Sequence, residues 1–386
     1  MKTPGKAVKQ ARLVLEDGSE YPGWSFGKAR SQAGEVVFIN AMMGYNHYLT
    51  DPCCRGQIMV SSYPIMGNTG IQVKPKTCEA FTDEFGIAMH FESDRIQVSG
   101  FVVSDLCEQP SHYSSGATLS AWFDKNNVPG IYGVDTRSLI KRIRENGIMQ
   151  GKILVEGSRD VTLDSGIIAN PVEEVSVTEV KTYTPSTGNE KPRIRIAVLD
   201  CGAKANIYRN LLRRNIEVVR LPWNHDLKDI EYDGLFLSTG PGDPKSCGKT
   251  IAAVRRAFDR GKPIFGLGLG SQIMALAAGA DTYKLPFGHR GLGLPCFEVG
   301  ASRCYMTSQN HGYAVRADSL PRGWEPWFVN ANDNTIEGIR SKSGPFSSVQ
   351  ILPAGCPGPR DTDFLFDRFV EQINSQDSRG KKPRTL

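Results

Sequence analysis

The stretch Pro263-Ile264-Phe265-Gly266-Leu267-Gly268-Leu269-Gly270-Ser271-Gln272, running on into Ile273-Met274-Ala275-Leu276-Ala277-Ala278, constrains this chain more than any other. It predicts a buried strand, a tight glycine turn and a helix, the layout of a nucleophile elbow. Such an elbow holds its central residue in a strained conformation, so that a side chain projects above the sheet edge beside N–H groups at the helix start. Here the central residue is Gly268, which reaches those angles without strain and has no side chain to project. The scaffold of a covalent catalyst is expected, without an attacking atom at this position.

Around the elbow the apolar pattern alternates between strand and helix. Ile194-Arg195-Ile196-Ala197-Val198-Leu199 opens as a strand, and Asn206 to Arg214 follows as helix. Ile216 to Leu221 and Gly234 to Ser238 read as strands, Ile251 to Phe258 as helix, and Ile264-Phe265 feeds the elbow. This alternation predicts a parallel α/β sheet, whose ligands sit at the carboxyl ends of the strands. Gly240, Gly242 and the elbow lie at such ends and are expected to line one pocket.

The chain before this region has a different texture. From Ala11 to Gly157 short strands are predicted: a hairpin at Asp17-Gly18, strands at Val36-Val37-Phe38, Ile58-Met59-Val60 and Gln97 to Ser104. Two helices carry Leu119, Trp122 and Phe123 on one face and Leu139, Ile140 and Ile143 on another. The expected fold class is α/β: a mixed β/α domain over 1–157, a connector over 158–193, a parallel-sheet domain over 194–375, and an unfolded basic tail over 376–386.

Composition narrows the function classes. A length of 386 residues, 40% hydrophobic and 23% charged, suits a globular chain of two or three domains. A net charge of +5 without a Lys/Arg stripe gives no nucleic-acid groove. Nine cysteines without a C-x-x-C pair point to a reducing compartment, and no cofactor and no metal are expected. No apolar run approaches the roughly 20 residues that span a bilayer. The basic stretch Met1 to Arg12 admits a short mitochondrial presequence, but its lack of Ser favours the cytoplasm.

Four segments together carry a resemblance: Phe265 to Gln272, Ser238-Thr239-Gly240-Pro241-Gly242-Asp243-Pro244, Thr307-Ser308-Gln309-Asn310-His311-Gly312-Tyr313-Ala314-Val315 and Val349-Gln350-Ile351-Leu352-Pro353-Ala354. They resemble the class I glutamine amidotransferase (flavodoxin-like) domain of carbamoyl phosphate synthetase. Leu13 to Gly18, Gly34 to Phe38, Leu49-Thr50-Asp51-Pro52 and Gly133-Val134-Asp135-Thr136-Arg137 resemble the N-terminal domain of the small subunit that precedes it. Pro222-Trp223-Asn224-His225-Asp226 and Asn330-Ala331-Asn332-Asp333 read closer to animal pyrimidine-pathway and urea-cycle forms than to bacterial ones. The resemblance implies glutamine as the ligand and a synthetase large subunit as partner. It also implies ligand contacts from Gly240, Gly242, Leu269, Gln272, Asn310, Gly312 and Tyr313.

The departures from the pattern are at the catalytic positions. The family carries Cys at the elbow, His after it, and His-Pro-Glu near the C-terminus, where this chain has Gly268, Ser271 and Leu352-Pro353-Ala354. Glutamine hydrolysis needs a thiolate, an imidazole and an orienting carboxylate. The expectation is therefore a catalytically inactive pseudo-amidotransferase that supports or regulates an ammonia-using synthetase. Two alternatives stand beside it: an enzyme that reuses the pocket through Ser271, His311, Gln272 or Thr307, and a ligand-sensing or scaffold module. His311 is expected to form a structural hydrogen bond, and Cys356 to be a free buried thiol.

Overall fold

A computed structural model describes residues 8–75, 77, 79–185 and 194–380, without the side chains of 377–380. It divides into two compact units, one of residues up to Ala169 except 84–87, the other of Glu84–Ile87 and Asn170 onward.

The first unit is a closed barrel. Its strands are β1 (Gln10–Leu15), β2 (Glu20–Gly27), β3 (Gln32–Ile39), β4 (Gln57–Ser61), β6 (Gly100–Val102), β8 (Pro129–Tyr132) and β9 (Met149–Val155), closed in the order β1-β2-β8-β6-β4-β3-β9. A two-stranded ribbon of β5 (Ile65–Met66) and β7 (Asp105–Leu106) stands beside it. The Asp17-Gly18 hairpin joins β1 to β2, with Gly18 at φ +83°, which suits a residue without Cβ. The strand expected over Gln97 to Ser104 shrinks to the three residues of β6, paired with β4 and β8. A short helix α1 (Tyr45–Leu49) precedes β4. Helix α2 (Leu119–Lys125) starts where the Thr118 hydroxyl accepts from the Ala121 N–H, and α3 (Thr136–Asn146) where the Asp135 carboxylate accepts from the Ser138 N–H. Phe123 of α2 packs between Phe26 and Phe101, with ring centroids 5.5 and 6.2 Å away.

The second unit holds a ten-stranded sheet. Its strands are β10 (Lys181–Tyr183), β11 (Ile194–Asp200), β12 (Ile216–Pro222), β13 (Gly234–Leu237), β14 (Ile264–Leu267), β15 (Thr282–Glu298), β16 (Cys304–Val315), β17 (Trp324–Asn330), β18 (Ile336–Ser341) and β19 (Phe346–Val349). The core runs β12-β11-β13-β14-β19, all parallel, which is the flavodoxin-like 2-1-3-4-5 order. Alternate residues of β11 enter opposite faces, Ile196 and Val198 one cluster, Ala197 and Leu199 the other. Helices α5 (Ala205–Arg213) and α8 (Phe364–Gly380) cover the first face through Ile207, Leu211, Phe366 and Phe369; α6 (Gly248–Phe258) and α7 (Leu269–Ala278) cover the second through Val254, Ile273 and Met274.

Beyond β19 the sheet turns antiparallel, continuing β18-β16-β15-β17. Periodicity gives no sign of this extension, because β15 carries register shifts between Lys284 and His289 and between Gly291 and Leu294 that break its alternation. Within residues 158–193, helix α4 (Pro171–Val175) buries Val172 completely and β10 pairs with β12, while 186–193 lie outside the described residues. Helix α8 continues through 376–380, and the rest of the expected tail, 381–386, lies outside the described residues, as do Met1 to Ala7.

Candidate ligand site at the strand-to-helix elbow

Strand β14 ends at Leu267 and α7 begins at Leu269, so Gly268 makes the entire turn, at φ 54° and ψ −115°. The turn is pinned to both flanking strands. Gly268 N–H donates to the Val349 carbonyl at 2.9 Å, and Gly270 N–H donates to the Ser238 carbonyl at 3.0 Å. A Cβ on Gly268 would meet Thr239 Cγ2 at 3.2 Å and would hold a backbone conformation that side-chain-bearing residues rarely adopt. The elbow predicted from the glycine pattern is therefore present, with the helix N-terminus and its N–H groups at the carboxyl end of the sheet.

Six expected ligand residues gather here in two contacts and a strand. Gly240 follows β13, and a Cβ there would lie 2.7 Å from Leu269 Cδ2 and 2.2 Å from the Cys201 carbonyl oxygen, so the loop approaches the elbow only because the residue is glycine. Gln272, in the first turn of α7, is buried and donates from Nε2 to the Tyr313 carbonyl at 2.8 Å and to Gln350 Oε1 at 3.0 Å. Asn310, Gly312 and Tyr313 follow one another on β16, which the Gln272 bond ties to the elbow helix. Gly242, two residues beyond Gly240, lies at φ +84° against Pro171 of α4.

The loop after β11 is held from beneath by Asp200. Its buried carboxylate accepts from the N–H groups of Gly202 and Ala203 at 3.0 and 2.7 Å and pairs with Arg220 at 2.6 Å.

The other singled-out positions are occupied as follows. Leu352 and Ala354 are buried; Leu352 N–H donates to the Ser308 carbonyl, and Ala354 joins the core beside Ile207 and Tyr208. Neither side chain can carry a proton. Ser271 Oγ is 2.9 Å from Ser348 Oγ in a buried hydroxyl pair. Cys356 is half-buried rather than buried, and its carbonyl accepts from Lys204 Nζ at 2.9 Å. His311 makes the structural bond expected of it, Nδ1–H to the Tyr313 carbonyl at 2.9 Å.

Sequence reasoning missed the polar groups around His311. Glu337 of β18 is fully buried, with its carboxylate 2.9 Å from His289 Nδ1 and 3.3 Å from His311 Nε2. Burial opposes the charge of His289, but the carboxylates of Glu337 and Asp333 outweigh it and raise the imidazole above its ordinary value. Burial likewise opposes ionisation of Glu337, yet the two histidines hold it below the usual carboxylate range. The guanidinium of Arg290, also buried, comes within 3.0 Å of where a Gly312 Cβ would stand. No local pattern marks this cluster, because β15 also carries Lys284 and β18 Arg340.

Comparison with known proteins covers both units. Residues 13–153 match the carbamoyl-phosphate synthase small chain, CPSase domain, and residues 197–372 match glutamine amidotransferase class-I. The carbamoyl phosphate synthase small chain of Pyrococcus furiosus is 42% identical over 381 residues, covering 95% of this chain and 99% of that protein. The multifunctional protein pyr1-3 of Dictyostelium discoideum is 43% identical over 380 residues, covering 95% of this chain but 17% of that protein. The human carbamoyl-phosphate synthase [ammonia], mitochondrial, is 43% identical over 368 residues, covering 95% of this chain and 24% of that protein. The chain thus spans about a fifth of the length of the multifunctional relatives it matches. Among the described residues, no helix is long and apolar enough to cross a membrane.

These matches correct the expectation of a catalytically inactive pseudo-amidotransferase. That expectation rested on Gly268, Leu352 and Ala354 alone. The Pyrococcus furiosus relative, which matches nearly end to end, bears the name of a carbamoyl phosphate synthase small chain, and nothing in the structure shows that the chain lacks activity.

Proposed function

Because the chain belongs to the carbamoyl phosphate synthase small-chain family, we propose that it is the glutamine-binding small-chain module of a carbamoyl phosphate synthase, acting with an ATP-using large chain. The supporting observation is the elbow, where Gly240 is packed on Leu269 and Gln272 is bonded to the Tyr313 carbonyl. The positive pole of α7 at its amino end suits the developing or resident negative charge of an amide or carboxylate ligand. We assign glutamine contact to Gly240, Gly242, Leu269, Gln272, Asn310, Gly312 and Tyr313, and domain boundaries to 1–157 and 194–375 with 158–193 between them. Carbamoyl phosphate serves pyrimidine and arginine synthesis, and that is the metabolic setting we infer.

The reading is tested by affinity capture of the chain from its native source together with calorimetric titration of glutamine. A large ATP-using synthetase chain in the captured complex, and glutamine binding weakened at least tenfold in Gln272→Leu, are expected. Absence of such a partner, with no glutamine binding at millimolar concentration, would overturn it.

A further inference from the structure

The cluster beside the elbow has the architecture of a metal centre. His289 on β15 and His311 on β16 are directly paired across the hairpin, so their side chains share one face of the sheet, with ring centroids 5.0 Å apart. Glu337 enters the same space from β18 with no exposed surface. The ligand atoms of all three residues lie within 4.8 Å of one another.

Each imidazole turns one nitrogen toward Glu337 and is held by its other one. His289 Nε2 lies 2.8 Å from the Asp333 carboxylate, and His311 Nδ1 lies 2.9 Å from the Tyr313 carbonyl. The inward nitrogens are His289 Nδ1, hydrogen-bonded to Glu337 at 2.9 Å, and His311 Nε2, 3.3 Å from the same carboxylate, and an ion would bind there by displacing a proton. A carboxylate or carbonyl behind each histidine is the usual support of a metal-bound imidazole.

One of the two inner contacts is poor for a cluster held together by hydrogen bonds. His311 Nε2 and Glu337 Oε2 are buried and 3.3 Å apart, and neither has a hydrogen-bond partner. Such buried atoms ordinarily find partners, because leaving them unsatisfied costs about 1–3 kcal/mol. A tetrahedral divalent ion with bonds of about 2.0–2.1 Å places its ligand atoms roughly 3.3–3.5 Å apart, the spacing seen between these two atoms.

We propose that His289, His311 and Glu337 form a site for a divalent transition-metal ion of the zinc class, with Asp333 and the Tyr313 carbonyl as supporting partners. Two imidazoles and a carboxylate are a donor set that suits zinc and leaves one coordination position for a small ligand. Because Gln272 and His311 share the Tyr313 carbonyl, the site adjoins the elbow helix. The inference does not depend on glutamine being the elbow ligand.

The test uses the full chain, stripped by chelator and dialysed against micromolar Zn2+, with metal content measured per chain and melting followed by circular dichroism. One zinc per chain and a rise in melting temperature are expected. His311→Gln and Glu337→Gln should each weaken binding at least a hundredfold, and Asp333→Asn by ten- to hundredfold. Cys296→Ala should leave binding unchanged, because the thiol lies outside the donor set. The Co2+ form of the unsubstituted protein decides the matter even where a variant fails to fold, since it should show four-coordinate nitrogen and oxygen ligation without a thiolate charge-transfer band. No stoichiometric zinc, zinc retained by folded His311→Gln, or a thiolate band would overturn the proposal and leave the cluster a buried ion pair.

Discussion

In the parallel half of the ten-stranded sheet, β11, β13 and β14 bury Ile196, Val198, Phe236 and Phe265 almost completely, whereas the antiparallel half buries Arg290, His311, Asn330 and Glu337 among its strands. The first half is held by apolar area, which is non-directional and tolerant of small shifts. The second depends on placed donors and acceptors, which are costly when misplaced and specific when satisfied. The elbow sits on their border, its strand in the apolar half and its helix bonded through Gln272 to the polar half. A ligand at the elbow would therefore bind where a rigid support meets a directional one.

The largest effect should come from the apolar half. Phe236→Ala removes a ring packed against Phe265, Phe366 and Phe369, with centroids 5.7 to 6.1 Å away, and should cost about 3–5 kcal/mol. Urea unfolding measures it, and a loss under 1 kcal/mol would remove the contrast between the halves.

At the turn itself, Gly268→Ala should lower stability by a net of about 1–2 kcal/mol. Strain at φ 54° outweighs the smaller unfolded-state entropy that alanine removes. Differential scanning calorimetry reads the sign, and a higher melting temperature would contradict the geometry.

The smallest effect tests the polar half by pH. Glu298 on β15 accepts from Arg368 Nη1 at 2.8 Å and Trp327 Nε1 at 3.0 Å. Burial alone would raise its carboxyl, but these bonds hold it below the ordinary value of 4.5. A depressed carboxyl stabilises the fold above that value and loses its contribution as pH falls through the depressed one. Glu298→Gln should therefore be less stable by about 1 kcal/mol at neutral pH, a gap that closes in acid. Urea midpoints on both sides of the transition check it, and a constant gap would point to packing instead of charge.

The same contrast explains what could be read before the fold was known. Val198, Phe236 and Phe265 lie in continuous apolar runs, and glycines punctuate the elbow, so the parallel sheet and the turn at Gly268 were legible. The Asp17-Gly18 hairpin was legible for the same local reason. β15 was not, because two register shifts and the interleaved His289 and Arg290 erase its alternation. Glu337 gave no signal, because nothing local marks the two imidazoles beside it. Gln97 to Ser104 was drawn too long, since pairing with β4 and β8 engages only three residues. The functional reading failed differently: three side chains were allowed to speak for the activity of a whole chain whose two domains match an enzyme family.

The Tyr313 carbonyl offers a practical vantage on both sites. Its oxygen accepts from the Gln272 amide on one side and the His311 imidazole on the other, at 2.8 and 2.9 Å. Carbonyl resonance and stretching frequencies follow the donors they face, so a single 13C label at this peptide would register a ligand that draws Gln272 away. It would register separately an ion that stiffens His311. Two events, one at helix α7 and one on β16, would thus be read from one atom, without a probe large enough to disturb either.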